Sequence, residues 1–361
     1  MILITTQNFP PAVGGIENLM AGLALALNNA GEDVWVFADG KAGGAAAPYR
    51  VSRYGGPKPI RRWLKARAVA RAARAPGVTG VFADSWKSLE ALPPLSVPIV
   101  MLAHGAEWPT DPSPSKRRRI ERATAKASRI LAVSDYTAAR VRPYAPADRV
   151  AILHPPISPQ PTPSSKAARR TAALRRGTAP LIASLARLEP RKGFDMTLRA
   201  VADLSADHPD LTYAIGGGGE DLTRLQALAA SLGIAERVHF LGRIDEDQKA
   251  ALLAGADLFA MPTRQVGRSV EGFGIIYLEA AWHGLACIAG TEGGGGDAVL
   301  DRVTGLVVDG ADQAAVTGAL RRLIETPAER TAMGQAGAQR VRREFLWDQA
   351  APRFLAALRD A

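Results

Sequence analysis

Pro155-Pro156-Ile157-Ser158-Pro159-Gln160-Pro161-Thr162-Pro163-Ser164-Ser165 divides the sequence into two halves that read alike. Proline locks φ and donates no backbone hydrogen bond, so this stretch builds neither a helix nor a central strand and serves as a stiff spacer. Before it, short β-branched or apolar runs near residues 1–5, 33–38, 78–83, 97–103, 129–133 and 150–153 are separated by helical patterns or loops. After it the alternation restarts, with strands predicted near 180–186, 211–216, 237–241, 257–261, 285–289 and 306–308. Such alternation builds parallel sheets from βαβ units. The fold class is therefore α/β, with one Rossmann-like domain over residues 1–160 and a second over 161–340.

The 361 residues fit two cores of about 150 residues each. With 47% hydrophobic and 22% charged residues the composition is that of a soluble globular protein. No uninterrupted apolar run approaches the roughly 20 residues that a bilayer span requires. Met1-Ile2-Leu3-Ile4-Thr5 lacks a basic preface and a cleavage site, so it reads as a first strand, and a cytoplasmic location is expected. The single cysteine, Cys287, excludes an intramolecular disulfide and sits in the apolar run 285–289 as strand packing. The net charge of +10 draws the chain towards polyanions without choosing among nucleic acid, anionic lipid and phosphate-bearing substrates.

The most informative chemistry lies in Glu271-Gly272-Phe273-Gly274-Ile275-Ile276-Tyr277-Leu278-Glu279. If a helix begins near Gly274, Glu271 precedes its first turn and Glu279 lies inside it, so the two carboxylates need not share one helix face and can hold opposite ends of one ligand. The N–H groups of Gly272, Phe273 and Gly274, at the positive end of that helix, then form an anion site suited to a diphosphate. The plain alternative is a tight glycine turn followed by a solvated glutamate. A second signal is Arg187-Leu188-Glu189-Pro190-Arg191-Lys192-Gly193, where Arg187 and Lys192 flank a turn after a strand. Arginine grips phosphate oxygens bidentately and lysine adds a point charge, both countering negative charge on a departing diphosphate. Gly216-Gly217-Gly218-Gly219-Glu220 follows another strand, at the end where open α/β sheets bind ligands. Gly14-Gly15 and the glycines 293–296 also open expected helices.

These motifs together resemble the GT-B retaining glycosyltransferases of family 4. The likeness spans nearly the whole chain: Gly14-Gly15, His104-Gly105, Leu185-Ala186-Arg187 to Lys192-Gly193, Gly216 to Glu220, Phe240-Leu241-Gly242, the two-glutamate segment, and Thr304-Gly305 to Gly310. His104-Gly105-Ala106-Glu107-Trp108, Val270-Glu271-Gly272 and Ala289-Gly290-Thr291 are most similar to the mannosyltransferases that decorate phosphatidylinositol. The resemblance implies two domains facing across a deep cleft, with residues 341–361 crossing back onto the first. It implies that Glu271 holds the donor sugar hydroxyls, Glu279 the ribose, and Arg187 with Lys192 the diphosphate. Gly15 is expected to approach the phosphates or acceptor and His104 the donor sugar, although by its surroundings alone His104 reads as a hydrogen-bonded core histidine. Gly296-Asp297 departs from the Pro-Glu pair usual after that glycine loop, which puts donor contacts there in doubt.

The function expected is transfer of a hexose, mannose from GDP-mannose, to a glycan or lipid-linked acceptor with retention of configuration. By resemblance to guanine-binding relatives, Glu246 and Lys249 would contact the base, and guanine is favoured over uracil. The alternatives are a UDP-sugar donor and, in a different class, a nucleotide-binding protein without transfer activity. No cofactor is expected. No metal is expected either: Asp245-Glu246-Asp247 precedes a helical stretch and reads as helix N-terminal charge, and His154, His208, His239 and His283 lack ligand spacing. Residues 61–74 and Lys116-Arg117-Arg118-Arg119 form basic helices that either rest on the anionic inner face of a membrane or present a solvated basic face. Nucleic acid is not an expected partner, because these stretches lack interleaved aromatics. The loops at 39–60 and 105–115 carry no pattern that identifies the acceptor.

Overall fold

The computed structural model describes residues 1–12, 14–40 and 46–361. The chain divides into two compact units, residues 1–158 with 345–361, and residues 159–344. Part of the 39–60 loop, residues 41–45, lies outside the described residues.

The first unit carries β1 (Ile2–Thr6), β2 (Val34–Asp39), β3 (Arg50–Tyr54), β4 (Gly80–Ala83), β5 (Ile99–Ala103), β6 (Arg129–Ala132) and β7 (Val150–Ile152). They form one parallel sheet in the order β3-β2-β1-β4-β5-β6-β7. The second unit carries β8 (Leu181–Leu185), β9 (Thr212–Gly216), β10 (Val238–Gly242), β11 (Leu258–Met261), β12 (Ala286–Gly290) and β13 (Gly305–Val308), ordered β10-β9-β8-β11-β12-β13. Both orders reverse direction once, between β1 and β4 and between β8 and β11. Ligands of open α/β sheets bind beyond the carboxyl ends of the strands at such a reversal.

The buried strands match the apolar runs, because a sheet covered on both faces needs continuous hydrophobic strands. β3 is the exception: Arg-Val-Ser-Arg-Tyr has no apolar run, and none of its residues is buried. It is an edge strand, where polar and charged side chains are tolerated and guard the open hydrogen-bonding edge. Cys287 lies buried in β12, and burial pushes its thiol pKa up.

The C-terminal helix Trp347–Arg359 belongs to the first unit's core, where Phe354 meets Phe82 edge to face at 6.0 Å between ring centroids. The return point is Phe345, four residues past position 341, because the helix Pro327–Glu344 runs through 341 without a break. Among the described residues no helix is long and apolar enough to cross a membrane.

Candidate active site

In the second unit, two loops converge at the β8/β11 reversal. One follows β8 and carries Arg187, Glu189, Arg191 and Lys192; the other follows β11 and leads through Glu271 into the helix Ile275–Trp282. Their backbones are joined by Arg264 N–H donating to the Arg191 carbonyl at 2.9 Å. The side chains interlock as well. Lys192 Nζ donates to Glu271 Oε2 in a short contact, and Arg191 Nη1 donates to the same oxygen at 2.8 Å. Glu189 takes Arg191 Nε at 2.9 Å and Arg187 Nη1 at 3.2 Å. Three cations therefore face two carboxylates, leaving one positive charge in excess. Burial pushes the Glu271 carboxyl pKa up, but Lys192 and then Arg191 outweigh it and hold the group below the usual range.

A second cluster forms around Glu279, with Glu246 and Lys249 of the helix Glu246–Gly255. Gly274 enters the helix Ile275–Trp282 from the left-handed region, φ 89°. Glu279 sits five residues on, about 7.5 Å along the axis. Its Oε1 accepts from Lys249 Nζ at 2.8 Å, and Lys249 also reaches Glu246 Oε2 at 2.7 Å. Here two carboxylates face one cation. Burial raises the Glu279 carboxyl pKa and Lys249 pulls it back only in part. For Lys249 burial lowers the pKa, but Glu279 and Glu246 together prevail, so its ammonium is held above the ordinary lysine range. The segment from Glu271 to Glu279 thus runs from a net positive cluster at one end to a net negative one at the other.

The structure joins Glu271 to Lys192 directly, and Glu246 to Glu279 through Lys249. Arg187 is linked to them only through Glu189 and Arg191, with its side chain 70% exposed. Glu246 is likewise exposed, which suits a residue waiting for a ligand. Gly272 and Phe273 each have an interaction within the protein and precede Gly274, which enters the helix. The loop holding the Gly296-Asp297 departure meets the site through its backbone: Gly294 N–H donates to the Glu271 carbonyl at 2.9 Å. Asp245 caps the helix Glu246–Gly255 in a reciprocal capping box with Gln248, as its position before a helical stretch suggested.

Sequence reasoning missed two members. The motif Arg187 to Gly193 does not single out Arg191, because its side chain is told from a surface arginine only by where the turn Pro190–Lys192 points it. Arg264 binds both oxygens of Asp195 at 3.0 and 2.8 Å, tying the loop after β11 to the first turn of the helix Phe194–Leu204. Among the described residues no group of three or more His, Cys, Asp or Glu side chains is placed to hold a metal ion.

In the first unit Gly15 opens the helix Gly15–Asn29 after β1. His104 follows β5, half-buried, its Nε2 2.8 Å from the carbonyl oxygen of Asp84 and its N–H donating to Glu107 Oε1 at 2.6 Å. Both readings of this histidine are thus compatible with its setting: it is hydrogen-bonded, and it lies at the carboxyl edge of the sheet.

A GDP-mannose-dependent α-(1-6)-phosphatidylinositol monomannoside mannosyltransferase of Mycolicibacterium smegmatis is 35% identical over 93% of this chain and 92% of its own length. The profile for Glycosyltransferase Family 4 matches residues 13–161, and that for glycosyl transferases group 1 matches residues 165–340. The chain belongs to glycosyltransferase family 4. A second relative of this glycosyltransferase, the enzyme of the same name from Mycobacterium tuberculosis, is 32% identical over 99% of this chain and 98% of its own. Among solved structures, Anabaena HepE in complex with UDP shares 18% identity over the whole of both chains with a TM-score of 0.81. The glycosyltransferase thus has the GT-B fold, as the resemblance implied.

Proposed function

We propose that this glycosyltransferase moves a mannosyl group from GDP-mannose to a lipid-linked or glycan acceptor. The observation that carries the proposal is the pairing of opposite patches in one site. A nucleoside diphosphate sugar presents a dianionic linker beside a ribose and a base that offer O–H and N–H donors. The patch of Arg187, Arg191 and Lys192 suits the linker; the patch of Glu246 and Glu279 suits the donors. Guanine offers two adjacent N–H groups on its Watson–Crick edge where uracil offers one, so surplus carboxylate favours guanine. The GDP-mannose dependence of the two mycobacterial relatives supports the same choice.

In this reading Glu271 exchanges its cations for the sugar hydroxyls when the diphosphate takes over Lys192 and Arg191, and His104 contacts the donor sugar. Transfer proceeds with retention and without a metal, the phosphate cations stabilising the leaving group. Calorimetric titration of GDP, UDP and ADP in EDTA tests this directly. GDP is expected to bind tightest, and Glu279→Ala to weaken it about 10-fold or more, the worth of a lost charge-assisted hydrogen bond. UDP binding tightest would move the donor to a UDP-sugar, and no nucleotide binding at all would sink the enzymatic reading.

The proposal extends to a membrane surface. The helix Lys58–Ala72 turns Ile60, Trp63 and Leu64 outward, 56%, 52% and 44% exposed, in line with Arg67 and Arg71, and the exposed Arg74 follows just past its end. Lys65 is not part of that face: it is buried, 2.6 Å from Asp39. An apolar wedge beside a basic row is the pattern of a helix lying in an anionic interface. Wild type is expected to sediment with phosphatidylglycerol vesicles and not with phosphatidylcholine vesicles. Each exposed arginine replaced by glutamine weakens binding by about 1 kcal/mol. Equal recovery with both vesicles would remove this part of the proposal.

A further inference from the structure

The β1/β4 reversal of the first unit is held by one buried carboxylate that the proposed reaction does not use. Asp84 follows β4 and is fully buried. Its Oδ2 accepts from the Gln7 N–H at 2.8 Å and, at 3.0 Å, from the Thr6 hydroxyl, whose proton is shared with the Asn8 carbonyl at 2.7 Å, at the end of β1. Its Oδ1 accepts from the hydroxyls of Ser88 at 2.5 Å and Ser85 at 3.3 Å. Four donors thus converge on one side chain and fix the backbone at residue 84. The main-chain carbonyl of that same residue meets His104 Nε2 at 2.8 Å. A carbonyl oxygen only accepts, so Nε2 carries the proton of the neutral ring, and Nδ1 is left with its lone pair. His104 is held from its backbone side as well, since Glu107 Oε1 accepts both the His104 N–H and Trp108 Nε1–H.

From this arrangement we infer that Asp84 is a positioning residue that sets the tautomer of His104, so that the imidazole faces substrate through Nδ1 as a hydrogen-bond acceptor for a hydroxyl. The inference rests on the role proposed above for His104. The physical chain is short: the carboxylate anchors the backbone, the backbone carbonyl holds Nε2–H, and the ring offers only its other nitrogen. Replacing Asp84 by asparagine turns one acceptor into an N–H₂ donor facing donors. The knot at residue 84 must then loosen, and its carbonyl loses its aim at Nε2.

The test uses the full-length protein labelled with ¹⁵N at histidine, with His104→Gln to identify the His104 signals. Wild type is expected to show the Nε2–H tautomer alone. Asp84→Asn is expected to show a mixture with the Nδ1–H form, and to lower kcat about 100-fold with the KM for GDP-mannose little changed. Ser88→Ala, which removes one of the four donors, is expected to shift both quantities the same way by less. A proton on Nδ1 in wild type overturns the inference. So does an Nε2–H tautomer that persists unmixed in Asp84→Asn, which would make the carboxylate a structural staple only. If Asp84→Asn does not fold, Ser88→Ala and Thr6→Val decide, and an unchanged tautomer in both overturns the inference. The tautomer is read without substrate, so a failure of GDP-mannose as donor is told apart from a failure of this assignment.

Discussion

Arg187→Ala is expected to lower kcat/KM about 10²–10³-fold, the cost of removing one electrostatic stabiliser of a developing anion, while leaving the unfolding free energy within about 0.5 kcal/mol of wild type. The two halves of this expectation have separate causes. Arg187 is largely exposed, and its ion pair with Glu189 at 3.2 Å is of the surface kind, worth about 0–1 kcal/mol. The fold does not depend on it. In the proposed reaction the departing diphosphate does, because Arg187 is the cation of the cluster least committed to a protein carboxylate. Lys192 is the contrasting case: it is buried against Glu271, so its loss strips a buried carboxylate of a partner and should cost stability as well as rate. Initial rates with saturating acceptor, alongside urea unfolding, separate the two variants. An Arg187→Ala enzyme that keeps full activity would remove Arg187 from the diphosphate site.

The largest stability effect is expected at the neighbouring glycine. Gly193 lies in the left-handed region at φ 76°, and a Cβ there would stand 2.1 Å from the Pro262 carbonyl oxygen. The left-handed conformation alone costs a non-glycine residue about 1–2 kcal/mol. The contact with a backbone oxygen adds a displacement of the loop after β11, and Gly193→Ala should therefore lose about 4 kcal/mol or more in urea unfolding. Gly177 supplies the comparison: it too has positive φ, 58°, but a Cβ there meets nothing within 4 Å. Gly177→Ala should thus lose only about 1–2 kcal/mol. Similar losses in the two variants would mean that the approach of Gly193 to Pro262 carries no weight. Because Gly193 follows Lys192 and Pro262 leads into the loop of Glu271, the same substitution moves the two halves of the charged cluster apart.

Both the motif around Gly193 and the two-glutamate segment were legible in the sequence, as were the two repeated halves and, among the described residues, twelve of thirteen strands. The one missed strand, β3, lies at a sheet edge, where burial imposes no hydrophobic pattern to read. The helix Lys58–Ala72 was legible as basic, but not which of its cations turns inward. Lys65 is buried beside Asp39 while Arg67 faces outward, a difference of half a turn that helical periodicity permits and only packing against β1 and β2 decides.

The sequence by itself determined the architecture and the local motifs. Strand and helix periodicities, proline punctuation and glycine turns are properties of neighbouring residues. What only the tertiary structure decided is the pairing of charges. Lys192 and Glu271 are 79 residues apart, Lys249 and Glu279 are 30 apart, and Gln7 and Asp84 are 77 apart. Nothing in their local sequence says which cation neutralises which carboxylate, or that one buried aspartate joins the end of β1 to the ring of His104. Those choices follow from which strand ends the sheet order brings side by side. The charge left over in each cluster, and hence the ligand it suits, is fixed by that adjacency.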